Sequence, residues 1–173
     1  VSSFGFGGVN AHVIIEEYRS PEPGLLTLSE PVIIVLSARN QERLRDRVQS
    51  LLSEISNRSL DDRHLMSLAY TLQVGRDAME SRFACVVSSV AELKSILAGY
   101  ISENEAVGGL YLGEASVSQR AQKRKFIEAD WLTTFKEDNG KAVLASWVTG
   151  LDVDWSILYQ GSIPRRLPLP GYT

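Results

Sequence analysis

Five consecutive apolar residues, Val32-Ile33-Ile34-Val35-Leu36, pass within a few positions into a helical stripe, and this join constrains the fold more than any other stretch. The run is mostly β-branched and too short for a helix, so it reads as a strand covered on at least one face. After the polar residues Ser37 to Gln41 the period changes. Leu44, Val48, Leu51, Leu52 and Ile55 recur at i, i+4, i+7, i+8 and i+11, one stripe of a 3.6-residue helix. Asn40 is placed as its N-cap, with a side-chain oxygen that can accept from a free amide of the first turn. Glu42, Arg43, Arg45, Asp46 and Arg47 take the outer face. This unit carries no chemistry of its own; it is a packing device.

The same alternation continues. Leu65, Leu68, Ala69 and Leu72 predict a second amphipathic helix, with Gly75 placed to end it. Arg82 to Ser88 reads as a strand with Phe83, Cys85 and Val87 on one face and Ala84 and Val86 on the other. Ser89-Val90-Ala91-Glu92 is a capping box opening a helix with Leu93, Ile96, Leu97 and Ile101 inward. Gly108 to Gly113 suits a short third strand. The order β-α-α-β-α-β predicts an α+β fold, a small sheet of about three strands with helices packed on one side. A helical extension follows, in which Asn139 can cap a last helix carrying Val143, Ala145, Trp147 and Val148 and ending at Gly150. From Pro164 to Pro170 the prolines demand an extended tail.

The chain has 173 residues, 44% of them hydrophobic, enough for a real core. A net charge of −3 argues against a general nucleic-acid binder, which needs clustered Lys and Arg to neutralise phosphates. No run reaches the roughly 18 apolar residues of a bilayer span. The single Cys85 leaves no intramolecular disulfide and no Cys-based zinc cluster, which fits a cytoplasmic protein. The sequence opens on Val1 and stops at Thr173 without a closing element, so a fragment of a longer polypeptide is expected.

Phe4-Gly5-Phe6-Gly7-Gly8 precedes Val9 to Glu17, which reads as a strand. A phosphate loop needs a strand before and a helix after, so that helix-end amides face the anion. With a strand after it, this loop is read instead as a tight turn that only glycine permits. Ser2 to Ile14, through this loop and Asn10-Ala11-His12, resembles the last block of the ketosynthase domains of modular polyketide synthases, with Val9 where Thr is usual. Tyr70 to Ala84 is similar to a block of the α/β linker subdomain that follows those ketosynthases, with Gly75-Arg76-Asp77 where Gly-Arg-Glu is usual. Trp147 to Trp155, Leu158-Tyr159 and Pro164-Arg165-Arg166 resemble the tail that runs back over the linker and the ketosynthase. That tail usually continues into Tyr-Pro-Phe, where this chain has Pro170-Gly171-Tyr172.

The resemblance implies a division into a ketosynthase C-terminal strand (1–18), a linker (19–31), the linker subdomain (32–115), a helical extension (116–150) and a tail wrapping back (151–173). In synthases with a built-in acyltransferase a catalytic domain separates linker and tail. Here only a short stretch does, and no Gly-x-Ser-x-Gly nucleophile elbow occurs, so the likeness is to the trans-acyltransferase type. It further implies that Phe4, Gly5, Phe6, Gly7 and Gly8 line a ketosynthase active site, with Phe6 as its gate. The nucleophilic Cys and two catalytic His of that family lie upstream of this block. The fragment is therefore expected to be non-catalytic, to hold no cofactor or metal, and to pack on the ketosynthase of its own polypeptide, with no nucleic acid or membrane partner. The parent synthase would work on phosphopantetheine-bound acyl chains on carrier proteins.

The remaining reactive groups have two readings each. Cys85, between Ala84 and Val86 in a strand, reads as a buried, inert thiol; the alternative is an autonomous thiol enzyme using Cys85 with a histidine. His64, near Asp61 and Asp62, reads as a surface residue, and His12 has no second metal ligand at a usable spacing. Asp152 and Asp154, beside Trp155, read as capping and packing residues. Arg120, Lys123, Arg124 and Lys125 form a basic cluster whose default is a solvated helix face. Its second reading is a docking surface for a discrete acyltransferase or an acyl carrier protein, whose acidic surface would be steered to it.

Overall fold

The computed structural model describes residues 1–5, 7, 8, 10–16, 31–102, 108–115, 138, 140–159 and 161–171. Two short strands open it, β1 (Ser2–Phe4) and β2 (Asn10–His12), followed by β3 (Val32–Ala38), α1 (Gln41–Asn57), α2 (Leu65–Val74), β4 (Ser81–Val87), α3 (Val90–Ile101), β5 (Leu110–Glu114) and α4 (Lys141–Val148). One 3₁₀ turn, Asp62–His64, leads into α2, and another, Trp155–Tyr159, follows α4. The expected β-α-α-β-α-β order is present from β3 to β5. Its three strands form one antiparallel sheet in the order β3-β4-β5.

Strand alternation decides which layer each side chain enters. Val32, Ile34, Leu36 and Ala38 of β3 and Phe83, Cys85 and Val87 of β4 face the helices, meeting Leu44, Val48, Leu51 and Ile55 of α1, Leu65, Leu68 and Leu72 of α2, and Leu93, Ile96 and Leu97 of α3. Ile33, Val35 and Ala84 point the other way. They pack on Val143, Leu144, Trp147 and Val148 of α4 and on Trp155, so α4 closes the second face of the sheet. The unbroken apolar run of β3 follows from this double burial. Gly113 of β5 marks the closest approach: a Cβ there would lie 2.4 Å from the Val148 carbonyl oxygen.

The ends of the helices are built from local hydrogen bonds. Asn40 Oδ1 accepts from the Arg43 amide at 2.9 Å, as its place predicts. At the other end of α1 the Leu60 amide bonds the Ile55 carbonyl and the Ser59 amide bonds that of Ser56. This is a Schellman closure that puts Ser59 at φ 50°. Ser89 Oγ accepts from the Glu92 amide, but the Glu92 carboxylate reaches one residue further back than the capping box requires, to the Ser88 amide at 2.8 Å. Gly75 ends α2 with φ −96°, outside the left-handed region in which a C′ glycine is expected. Asn139 lies outside the described residues; the Asp138 carboxylate accepts from the amides of Gly140 and Ala142 at the start of α4.

The strand read through Val9 to Glu17 is shorter than expected. β2 pairs with β1 in the register Ser2↔His12, Ser3↔Ala11 and Phe4↔Asn10, and Val1 and Val13 exchange two further main-chain bonds. The described pairing ends at Val1 and Val13, and Ile14 and Ile15 lie past it.

Candidate functional site

The hairpin places its apolar groups outward. Gly7 and Gly8 take φ 111° and 89°, values that L side chains rarely adopt, and form the turn. Phe4 is 82% exposed, Ile14 83% and Ile15 80%, with Val1 and Val13 also open. Each such side chain gains ~1.5–3 kcal/mol when fully buried, so this is a surface built to be covered. Phe6, the expected gate, lies outside the described residues, as do Arg120, Lys123, Arg124 and Lys125. His12 Nδ1 sits 2.7 Å from Ser2 Oγ across the hairpin.

Cys85 is fully buried in β4, opposite Ile34 on one side and Leu110 on the other. Burial, with the Glu92 charge adding to it, pushes its thiol up to about 12, so it stays protonated at neutral pH and is a poor nucleophile. His64 is spent on structure: its Nδ1 lies 2.8 Å from Asp61 Oδ1 and 3.2 Å from the Asp61 amide at the turn before α2. The Arg63 guanidinium, bonded to the same carboxylate, draws Asp61 down to about 2. Asp154 caps the second 3₁₀ turn, accepting from the Ser156 amide and hydroxyl. No group of three His, Cys, Asp or Glu able to hold a metal ion occurs among the described residues.

The buried polar groups serve to join segments. Arg82 of β4 is 2% exposed. Its Nη1 donates to the Trp147 and Leu151 carbonyls at 2.6 and 2.8 Å, its Nε to the Met79 carbonyl at 2.9 Å, and its guanidinium lies 4.9 Å from the Trp147 ring centre. It thus sits at the C-terminal end of α4, where the helix dipole favours a cation. Gln73 of α2 donates to the Ile33 carbonyl of β3 at 2.7 Å and accepts from the Tyr159 hydroxyl at 2.7 Å. Burial raises the Tyr159 phenol above its usual range. One amide side chain therefore ties the outer strand, α2 and the second 3₁₀ turn together.

The tail from 161 to 171 lies along α1 and α2. Thr71 Oγ1 accepts from the Leu167 amide at 2.9 Å, Arg58 donates to the Pro168 carbonyl at 2.8 Å, and Arg76 donates to those of Leu169 and Pro170 at 3.2 and 2.9 Å. Leu167 and Leu169 pack on the helical core. Beside Arg76 opens a cavity of about 370 Å³ lined by Arg47, Asp77, Trp147, Asp152 and Trp155 among others. It carries both signs of charge, and the one hydroxyl in its lining, Ser37, donates to the Asp77 carbonyl and accepts from the Met79 amide.

Sequence reasoning had assigned no joining role to Arg82, Gln73, Arg58 or Arg76. The one available signal was Arg82, a charge at the head of an apolar strand.

The comparisons agree with this geometry. The RhiE-like, KS-MAT linker domain family matches residues 35–104. Polyketide synthase PksL of Bacillus subtilis strain 168 is 44% identical over 179 residues, and PksN of the same organism 38% over 183. Each match takes in 99% of this chain but only 4% and 3% of those much longer relatives. The ketosynthase from module 1 of the bacillaene synthase of Bacillus amyloliquefaciens FZB42 superposes with a TM-score of 0.72 at 34% identity. The match covers 99% of this chain and 29% of that one. The ketosynthase from module 6 of the Bacillus subtilis 168 bacillaene synthase gives 0.71 at 32%, with the same coverage. No helix among the described residues is long and apolar enough to cross a membrane. With the linker family matching residues 35–104 and polyketide synthases alike over 99% of its length, the chain is similar to the ketosynthase-flanking linker region of polyketide synthases.

Proposed function

We propose that this chain is a non-catalytic structural and docking module of a trans-acyltransferase polyketide synthase, acting in the cytoplasm to hold the ketosynthase of its own polypeptide in place. The observation that carries the reading is the distribution of apolar surface. Among the described residues, five of the seven exposed large hydrophobics, Val1, Phe4, Val13, Ile14 and Ile15, belong to the hairpin and its continuation, whereas Cys85 is buried and His64 and Asp154 close turns. The hairpin completes the ketosynthase body, and the loop Phe4 to Gly8 faces its acyl-binding channel, with Phe6 as the gate. The parent works on phosphopantetheine-bound acyl chains, and this segment brings no cofactor to them. Arg120, Lys123, Arg124 and Lys125 offer a basic face to the discrete acyltransferase or to an acidic acyl carrier protein.

Titration calorimetry of the chain against a ketosynthase body lacking this region, a discrete acyltransferase and a carrier protein tests it. Binding to the ketosynthase body is expected, together with carrier-protein binding that weakens when Lys123, Arg124 and Lys125 become Glu. Absence of heat with all three overturns the docking role.

A further inference from the structure

We propose that the α1–α2 face is a receptor for an extended, proline-flanked leucine segment, and that segment 161–171 of a second copy of this chain can fill it in place of the chain's own. The proposal does not depend on the synthase reading. It rests on how the segment is held. The seat reads main chain: Thr71 takes the Leu167 amide, Arg58 the Pro168 carbonyl, and Arg76 the carbonyls of Leu169 and Pro170. Leu167 and Leu169 alternate into the core, as in an extended chain, and Arg166 lies 5.8 Å from the Tyr70 ring centre. Pro164, Pro168 and Pro170 pre-set φ, so little conformational freedom is lost on seating. These are the features by which an extended segment is recognised, main-chain hydrogen bonds together with seats for alternate side chains.

The hinge that exchange requires is present. Tyr159 is buried and bonded to Gln73, whereas Gly161 and Ser162 are exposed and Ile163 is 73% exposed. A Cβ at Gly161 would meet no atom within 4 Å. Two anchored parts are thus joined through the exposed Gly161, Ser162 and Ile163, and every contact of the seated segment is equally available to the same segment from another chain. The tethered copy has an effective concentration of order millimolar, so exchange shows only when that advantage is removed or matched.

Two complementary full-length variants make the test. Leu167→Asp with Leu169→Asp disables the segment and leaves the seat; Arg58→Ala with Arg76→Ala weakens the seat and leaves the segment. Sedimentation of each alone and of the mixture is expected to show monomers alone and a mixed dimer together. A mixture with only monomers overturns the proposal. A second measurement uses the unaltered chain. A synthetic peptide of residues 161–171 at millimolar concentration should accelerate hydrogen exchange of the Leu167 amide, and a peptide with Asp at both leucine positions should not. Equal exchange with and without the peptide overturns it as well. Fluorescence anisotropy of the labelled peptide on the first variant should saturate, weakening roughly tenfold or more when the two arginines are also removed.

Discussion

Replacing Arg82 with alanine is the most informative single change in the fold. The wild-type guanidinium donates to three carbonyls on three segments, Met79 before β4, Trp147 in the last turn of α4, and Leu151 beyond it. A hydrogen bond from a charged donor contributes ~1.5–3 kcal/mol, and these share one group, so their contributions do not simply add. Truncation also leaves carbonyls in a site where Arg82 itself is 2% exposed, and removes the stack on Trp147. Against this stands the cost of burying the cation, which alanine does not bear. The balance predicts a loss of about 3–5 kcal/mol, a large part of the ~5–15 kcal/mol typical of a domain. Urea unfolding followed by tryptophan fluorescence, with Trp147 and Trp155 beside the site as reporters, and by circular dichroism reads it directly. Lysine at position 82 should recover only part, since its compact ammonium lacks the planar fork that spans these carbonyls and stacks on Trp147. A loss below about 1 kcal/mol for the alanine variant would refute the claim that Arg82 joins α4 to the sheet.

Ser59, held at φ 50° in the Schellman turn after α1, should give a protein about 0.5–1 kcal/mol more stable when replaced by glycine, seen as a raised urea midpoint. Gly113→Ala should destabilise by roughly 1–3 kcal/mol, because the new Cβ meets the α4 backbone, which cannot give way as a side-chain tip would. Cys85 carries a folded-state value raised to about 12 from 9.0. Its contribution to stability is therefore complete below pH 9 and is lost as the pH rises towards 12, the unfolded chain releasing the proton first. Unfolding midpoints should fall over that window, and Cys85→Ala should flatten the part of the decline due to the thiol. In the same chain at pH 7, iodoacetamide should react with Cys85 more slowly than with free cysteine.

The sheet and its first helical layer were legible because periodicity and burial coincide there. The run from Val32 to Leu36 and the stripe from Leu44 to Ile55 can satisfy their apolar groups in one way only, strand then helix on one face. Asn40 and Ser89 were legible because their capping bonds are local. What the sequence hid is non-local. Ile33 and Val35 require a second cover, but nothing in their own pattern says that Trp147 and Trp155 supply it. Arg82 was read as part of a family block rather than as an inward cation, since the carbonyls it serves lie 65 and 69 residues away. The tail was read as extended from its prolines, whereas the donors that hold it, Arg58 and Arg76, stand 110 and 93 residues away from the carbonyls they serve. Ser2 to Phe4 gave no strand signal because three polar or glycine-flanked residues pair only through a turn that their partners define.

The central claim, that the hairpin and its continuation are the surface by which this chain completes a ketosynthase, is tested most directly by amide hydrogen exchange across residues 10–16. The isolated chain and a polypeptide extended upstream to include the ketosynthase body would be compared. Rapid exchange at Ile14 and Ile15 in the isolated chain and strong protection in the longer polypeptide is the predicted result; equal protection in both would contradict the account.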